Sequence, residues 1–154
     1  MQATTPRLPT SGKVFLVCGL WLVALGVYFV LLRPALLPED PCYIGLSLEA
    51  LRSAALGLER WLGQVFNVMG GFMIAAGVMT ALVAWRLAAR RERGTLVALA
   101  VAGAIGVAMR SATSFLLQSD FRWLLLAPVA LWLFGLVCYW LEGRVQRSVA
   151  MTAS

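Results

Sequence analysis

From Val14 to Leu32 the chain runs nineteen residues without a charge. As a helix rising 1.5 Å per residue, such a run covers about 30 Å, the thickness of a bilayer's hydrocarbon core. Three further runs follow, Trp61–Trp85, Thr95 to about Leu117 and Trp123–Leu141, and Arg110 is the single charge among them. Inside lipid every backbone N–H and C=O has to find a partner within the protein, and helices meet that demand segment by segment. The expected fold is therefore all-α: an integral membrane four-helix bundle, residues 1–154 forming one membrane domain, with residues 1–12 and 143–154 as flexible tails.

Composition narrows the function classes. The chain is 61% hydrophobic and 13% charged, with a mean hydropathy of +0.84, against about 45–50% and about 25% in soluble domains. A soluble globular enzyme, a disordered tail and a disulfide-stapled secreted domain are excluded. There is no histidine, which removes an imidazole metal site, an axial-His haem and a Ser-His or Cys-His base. Cys18, Cys42 and Cys138 show no CxxC spacing, so zinc and iron–sulfur binding have no support. No metal and no cofactor are expected. The net charge of +6 sits at the flanks of apolar runs, so it reads as membrane topology and not as nucleic-acid binding.

The first run is longer than the 7–15 residues of a signal-peptide core and no small-x-small site follows it, which suggests an uncleaved signal anchor. Pro34, Pro38 and Pro41 then predict an irregular stretch holding Glu39, Asp40 and Cys42. Residues 46–60 look different again. Leu48, Leu51, Ala55, Leu58 and Leu62 share one helical face while Glu49, Arg52, Ser53, Glu59 and Arg60 lie largely elsewhere, the pattern of an amphipathic helix at the outer interface. Ser47 or Gly45 is positioned to cap it. Pro128, inside the fourth run, predicts a kink.

Orientation follows from the bases. With both termini cytoplasmic, the inner side holds Arg7, Lys13, Arg86, Arg90, Arg91, Arg93, Arg144 and Arg147, and the outer side holds Arg33, Arg52, Arg60 and Arg122. That distribution obeys the positive-inside rule and gives N-in/C-in. Tyr28, Tyr43, Trp61 and Trp123 then form the outer aromatic belt, and Trp85, Tyr139 and Trp140 the inner one. Twelve of the thirteen basic residues are arginine, which suggests a GC-rich bacterium and hence the inner (plasma) membrane.

An ionisable residue inside a span is a functional candidate by default. Arg110 lies about 10 Å below the outer surface by helix rise, with Ser114 and Gln118 on its face and Asp120 beyond. Gln64 and Asn67 form a polar pair on the second run, just below Glu59. The economical packing turns these stripes toward each other, pairing Arg110 with Glu59 or Asp120. The cluster is then either interhelical glue or an outward-facing pocket for an anionic head group, a small anion or a hydrophobic ligand. Small residues predict the packing seam: Gly70, Gly71 and Gly77 on the second run, and Ala98, Ala102 and Gly106 at four-residue spacing on the third. The second and third runs are expected to form the tight central pair.

Met69-Gly70-Gly71-Phe72-Met73-Ile74-Ala75-Ala76-Gly77, then Gly106-Val107-Ala108-Met109-Arg110 and Asp120, resemble the pattern of small bacterial four-helix membrane proteins of the DoxX-like group, whose relatives include domains of unknown function. The resemblance covers about Leu25 to Leu141 and rests on Gly70, Gly71, Arg110 and Asp120. It implies a four-helix bundle with an undefined role. A proton-coupled small multidrug antiporter would need a membrane-embedded glutamate, and none of the expected spans carries one.

These features point to a small non-enzymatic accessory or interaction subunit, with the bilayer, a larger membrane complex or a second copy of itself as partners. The alternatives are an oligomeric channel or transporter lined by Asn67 and Arg110, and a lipid-modifying enzyme using Glu39, Asp40, Glu59 and Asp120 at the outer face.

Overall fold

The computed structural model describes residues 8–37, 39–87, 92, 94–117 and 122–152. They form helices α1 (Thr10–Leu31), α2 (Glu39–Ile44), α3 (Leu48–Ala54), α4 (Leu58–Leu87), α5 (Thr95–Ala102), a π-helical turn (Gly103–Ala108), α6 (Met109–Leu116) and α7 (Leu126–Thr152). Among the described residues there is no strand. Four helical stretches are long and apolar enough to cross a membrane: Thr10–Leu31, Leu58–Leu87, Thr95–Leu116 and Leu126–Gln146. Large apolar side chains such as Leu20, Phe72, Ile105 and Leu133 stand exposed along them, as lipid-facing positions do. The protein is an all-helical, multi-pass membrane protein.

The chain divides into two compact units, Met1–Leu20 with Met79–Ser154, and Trp21–Val78. In the first, Phe15 is fully buried and meets Trp132 edge-on, ring centroids 5.5 Å apart. Gly135 of α7 makes room for it: a Cβ there would lie 3.0 Å from the Phe15 ring. Gly12 of α1 lies against the backbone of α4, where its Cβ would sit 3.2 Å from the carbonyl of Ala84.

In the second unit α1 and α4 touch through glycine. A Cβ on Gly26 would lie 2.6 Å from the Gly70 carbonyl oxygen, and one on Gly70 would lie 2.8 Å from that of Gly26. Without side chains the backbones close to van der Waals contact, the main source of helix–helix affinity in lipid. Gly70, read as part of a seam between the second and third spans, meets α1. Gly77 is also buried, whereas Gly71 faces open space. Phe29 and Phe66 extend the contact, 6.1 Å apart and T-shaped.

Several boundaries differ from the sequence expectation, each for a local reason. The proline stretch contains a short helix, α2, because Pro41 falls in its first turn, where a missing N–H costs nothing. Asp40 accepts a 2.7 Å hydrogen bond from the Leu37 N–H, and Gly45, at φ +78°, ends the helix. Ser47 caps α3 by accepting from the Ala50 N–H, as expected. The helix read over 46–60 nevertheless stops at Ala54, and Leu58 and Leu62 belong to α4. Starting α4 three residues early puts Glu59 in its first turn, where the helix dipole favours an acid.

The fourth span begins at Leu126, not Trp123. Pro128 therefore occupies the first helical turn, and the expected kink has no preceding helix to bend. The turn before it is closed by Leu126 N–H to the Trp123 carbonyl and Ala127 N–H to the Leu124 carbonyl, both 3.2 Å. At its other end α7 continues past Leu141 to Thr152 through a run of residues that, apart from Gly143, tolerate helix well.

The two classes of glycine respond differently to substitution. Gly26→Val forces overpacking against Gly70 and costs roughly 1–3 kcal/mol, read as a lower midpoint in thermal unfolding followed by circular dichroism. Gly71→Ala, in open space within a helix, gains roughly 0.5–1 kcal/mol in the same measurement.

Candidate functional site

The third span is built around a row of buried residues spaced strictly by four: Leu99, Gly103, Val107 and Ser111. On a regular helix of 3.6 residues per turn, such a row drifts by about 40° at each step. The π turn removes the drift. Its wider loop carries one extra residue per turn, with the Met109 N–H bonding five residues back to the Ala104 carbonyl. The row can then stay on one side of the helix from end to end.

Trp132 of α7 seats that row. Its indole fills the place of a side chain at Gly103, where any Cβ would collide with Nε1 and Cδ1. Its Nε1–H donates to the Leu99 carbonyl at 2.9 Å. Farther along, the Ser111 hydroxyl lies 2.7 Å from the Leu125 carbonyl and 3.2 Å from that of Val107. The third span is thereby joined to α7 near Gly103 and to the turn preceding α7 near Ser111. The expected seam residues Ala98, Ala102 and Gly106 are one position out of phase with this row. They are exposed, and Gly106 has no neighbour within 4 Å.

Arg110 is the second residue after the π segment, half-buried, with its Nε fully enclosed. The hydroxyls around it turn back to the helix backbone: Ser114 donates to the Arg110 carbonyl at 3.1 Å and Thr113 to the Met109 carbonyl at 3.0 Å. These hydroxyl protons are engaged by the backbone of their own helix. Gln118 and Asp120 lie outside the described residues.

In the second unit, Gln64 and Asn67 are exposed on α4. Glu59, one of the two acids the sequence offered to Arg110, is bonded to Arg52 at 2.8 Å, bridging α3 and the start of α4. Both side chains are about half exposed, so the pair contributes little to stability. Cys18 and Cys138 are free thiols. The side chain of Cys42 lies outside the described residues, as do Arg90, Arg91 and Arg93 of the basic loop. Among the described residues no three His, Cys, Asp or Glu side chains gather as metal ligands.

Two arrangements were not foreseen. Glu142, read as the start of a polar tail, reaches the N-terminus of α1. Its carboxylate accepts from the Ser11 N–H at 3.0 Å and from the Ser11 hydroxyl at 2.6 Å, and Ser11 is fully buried. A side chain from a helix remote in sequence thus satisfies a free N–H at the start of α1 and places an anion at its positive end. This explains why α1 begins at Thr10, a full turn before the apolar run. Arg33 is the second case. Its guanidinium carbon stands 3.6 Å from the Phe66 ring centroid and 5.3 Å from that of Phe29, a cation–π contact at the end of α1. The only sequence signals were an acid just past a span and a base just past another, and neither names its partner.

Comparison with protein-family models, with curated proteins and with solved structures finds no match to this chain.

The α1 cap carries its own test. Glu142→Ala removes an acceptor from a buried hydroxyl and a helix N–H and costs about 1–3 kcal/mol, whereas Glu142→Gln keeps one acceptor and loses less. Thermal unfolding of the two variants and the parent in one detergent gives the ranking parent, Gln, Ala.

Proposed function

We propose that this chain is a small, non-enzymatic accessory subunit of the bacterial inner membrane, docking through its third span onto a transmembrane helix of another protein. The observation that carries the reading is the exposed row Ala98, Ala102 and Gly106, with open space around Gly106. In lipid, close backbone approach at small residues is how helices associate, and this row has no occupant from the described chain beside Gly106. Both termini lie in the cytoplasm, as the distribution of arginines argues. The short α3, with Leu51 buried and Glu49 and Arg52 exposed, rests at the outer interface.

A second reading concerns Arg110. A half-buried guanidinium within a span suits an anionic lipid head group. In this reading the lipid is part of the docking surface and not a substrate.

Native mass spectrometry from mildly solubilised membranes tests the docking. The expected spectrum carries a partner protein in addition to the 16.7 kDa chain, and Ala102→Leu, which fills the row, returns the isolated chain. Multiples of 16.7 kDa would make the partner a second copy. A bare monomer from the parent protein overturns the reading.

A further inference from the structure

We propose that the third span is a two-register helix, in which the π turn can anneal to α-helix and so rotate α6 by one residue relative to α5. The inference is independent of the docking reading and rests on how the two ends of this span are held.

The α5 end is anchored. Trp132 fits against Gly103 and its indole N–H bonds to the Leu99 carbonyl, so Leu99 and Gly103 stay where they are. The α6 end is held by contacts of a different kind, among them the Ser111 hydroxyl on the Leu125 carbonyl at 2.7 Å and the Phe115 ring edge-on to Trp123, centroids 5.3 Å apart. Between them lie six residues in a π turn, a form that occurs mainly as a single-turn insertion into α-helix and often at functional sites. The inserted residue is accommodated where side chains are smallest. Gly103, Ala104, Gly106 and Ala108 make up four of the six positions, and Gly106 meets nothing within 4 Å.

The consequence of annealing can be read from the numbering. In the described register the buried row is Leu99, Gly103, Val107, Ser111. With α5 fixed and the turn converted to α-helix, the same face continues from Gly103 by three, seven and eleven residues, through Gly106, Arg110 and Ser114. Each residue of α6 takes the place of the one after it, a rotation of about 100°. Arg110 moves from its half-buried position into the row facing α7, and Ser111 gives up the Leu125 carbonyl. The π turn is thus a switch whose moving part is the one charged residue within the four spans' apolar runs.

The test is relaxation-dispersion NMR on the full chain in lipid nanodiscs, since exchange of this kind falls on the μs–ms scale. The parent is expected to show exchange confined to the amides of Gly103–Leu116. Ser111→Ala, which removes one of the contacts holding the described register, raises the minor population about fivefold, as loss of one ordinary hydrogen bond allows. Deleting Ile105, an exposed residue of the π turn, removes the inserted residue. The buried row then reads with regular α-helical spacing, and the exchange disappears while the rest of the spectrum is retained. Flat dispersion in both the parent and Ser111→Ala overturns the proposal. So does exchange that persists in the deletion, or a deletion variant that does not fold, because either result means the π turn is not a removable insertion.

Discussion

The indole of Trp132 is the contact on which the larger unit depends. One face of the problem is steric: the ring needs a hole, and Gly103 supplies it. The other is polar: a buried indole N–H needs an acceptor, and the Leu99 carbonyl supplies that at 2.9 Å. Phe15 then stacks edge-on against the same ring and occupies the gap at Gly135. Three helices are placed by one aromatic side chain and two absent ones. In a bilayer, where burying Leu against Leu gains little over burying it against lipid, fitted contacts of this kind decide which helix faces lie inward.

The same logic explains the π turn. A strict four-residue row cannot remain on one face of a 3.6-residue helix. The third span keeps Leu99, Gly103, Val107 and Ser111 together on the buried side by widening one turn. Arg110 comes two residues after the widened turn, so the geometry that settles the buried row also settles where the charge stands. Polar groups elsewhere follow an equally economical pattern. Ser114 and Thr113 bond to their own helix, Glu142 caps α1, Arg33 lies over Phe66, and Glu59 pairs with Arg52. Among the described residues, several polar side chains that composition alone would nominate for chemistry are already bonded within the protein.

Much of the fold was legible before any coordinates. The four spans, the break before Pro34 and the cap at Ser47 follow from run length, proline placement and cap chemistry. The seam on the third span was misread by one residue. Ala98, Ala102 and Gly106 form the more conspicuous small-residue row, but the row actually buried is its neighbour, chosen by the position of Trp132 on α7. Pro128 was misplaced for a related reason: whether a proline kinks a helix or begins one depends on where the preceding turn closes. Glu142 and Glu59 were misassigned because an acid's partner is set by which helix end lies beside it, and sequence spacing is silent on that.

The sequence by itself determined that this chain crosses a membrane as helices, because backbone hydrogen bonding in hydrocarbon permits little else over four charge-poor runs of this length. It also determined that Arg110 would be the one charge within those apolar runs. Which faces meet was decided only by the tertiary structure. An apolar helix offers lipid and protein nearly equal welcome on every side, so the choice rests on shape: a ring against a glycine, a carbonyl within reach of an indole, a carboxylate beside a free helix end. Those matches exist only once the helices are side by side.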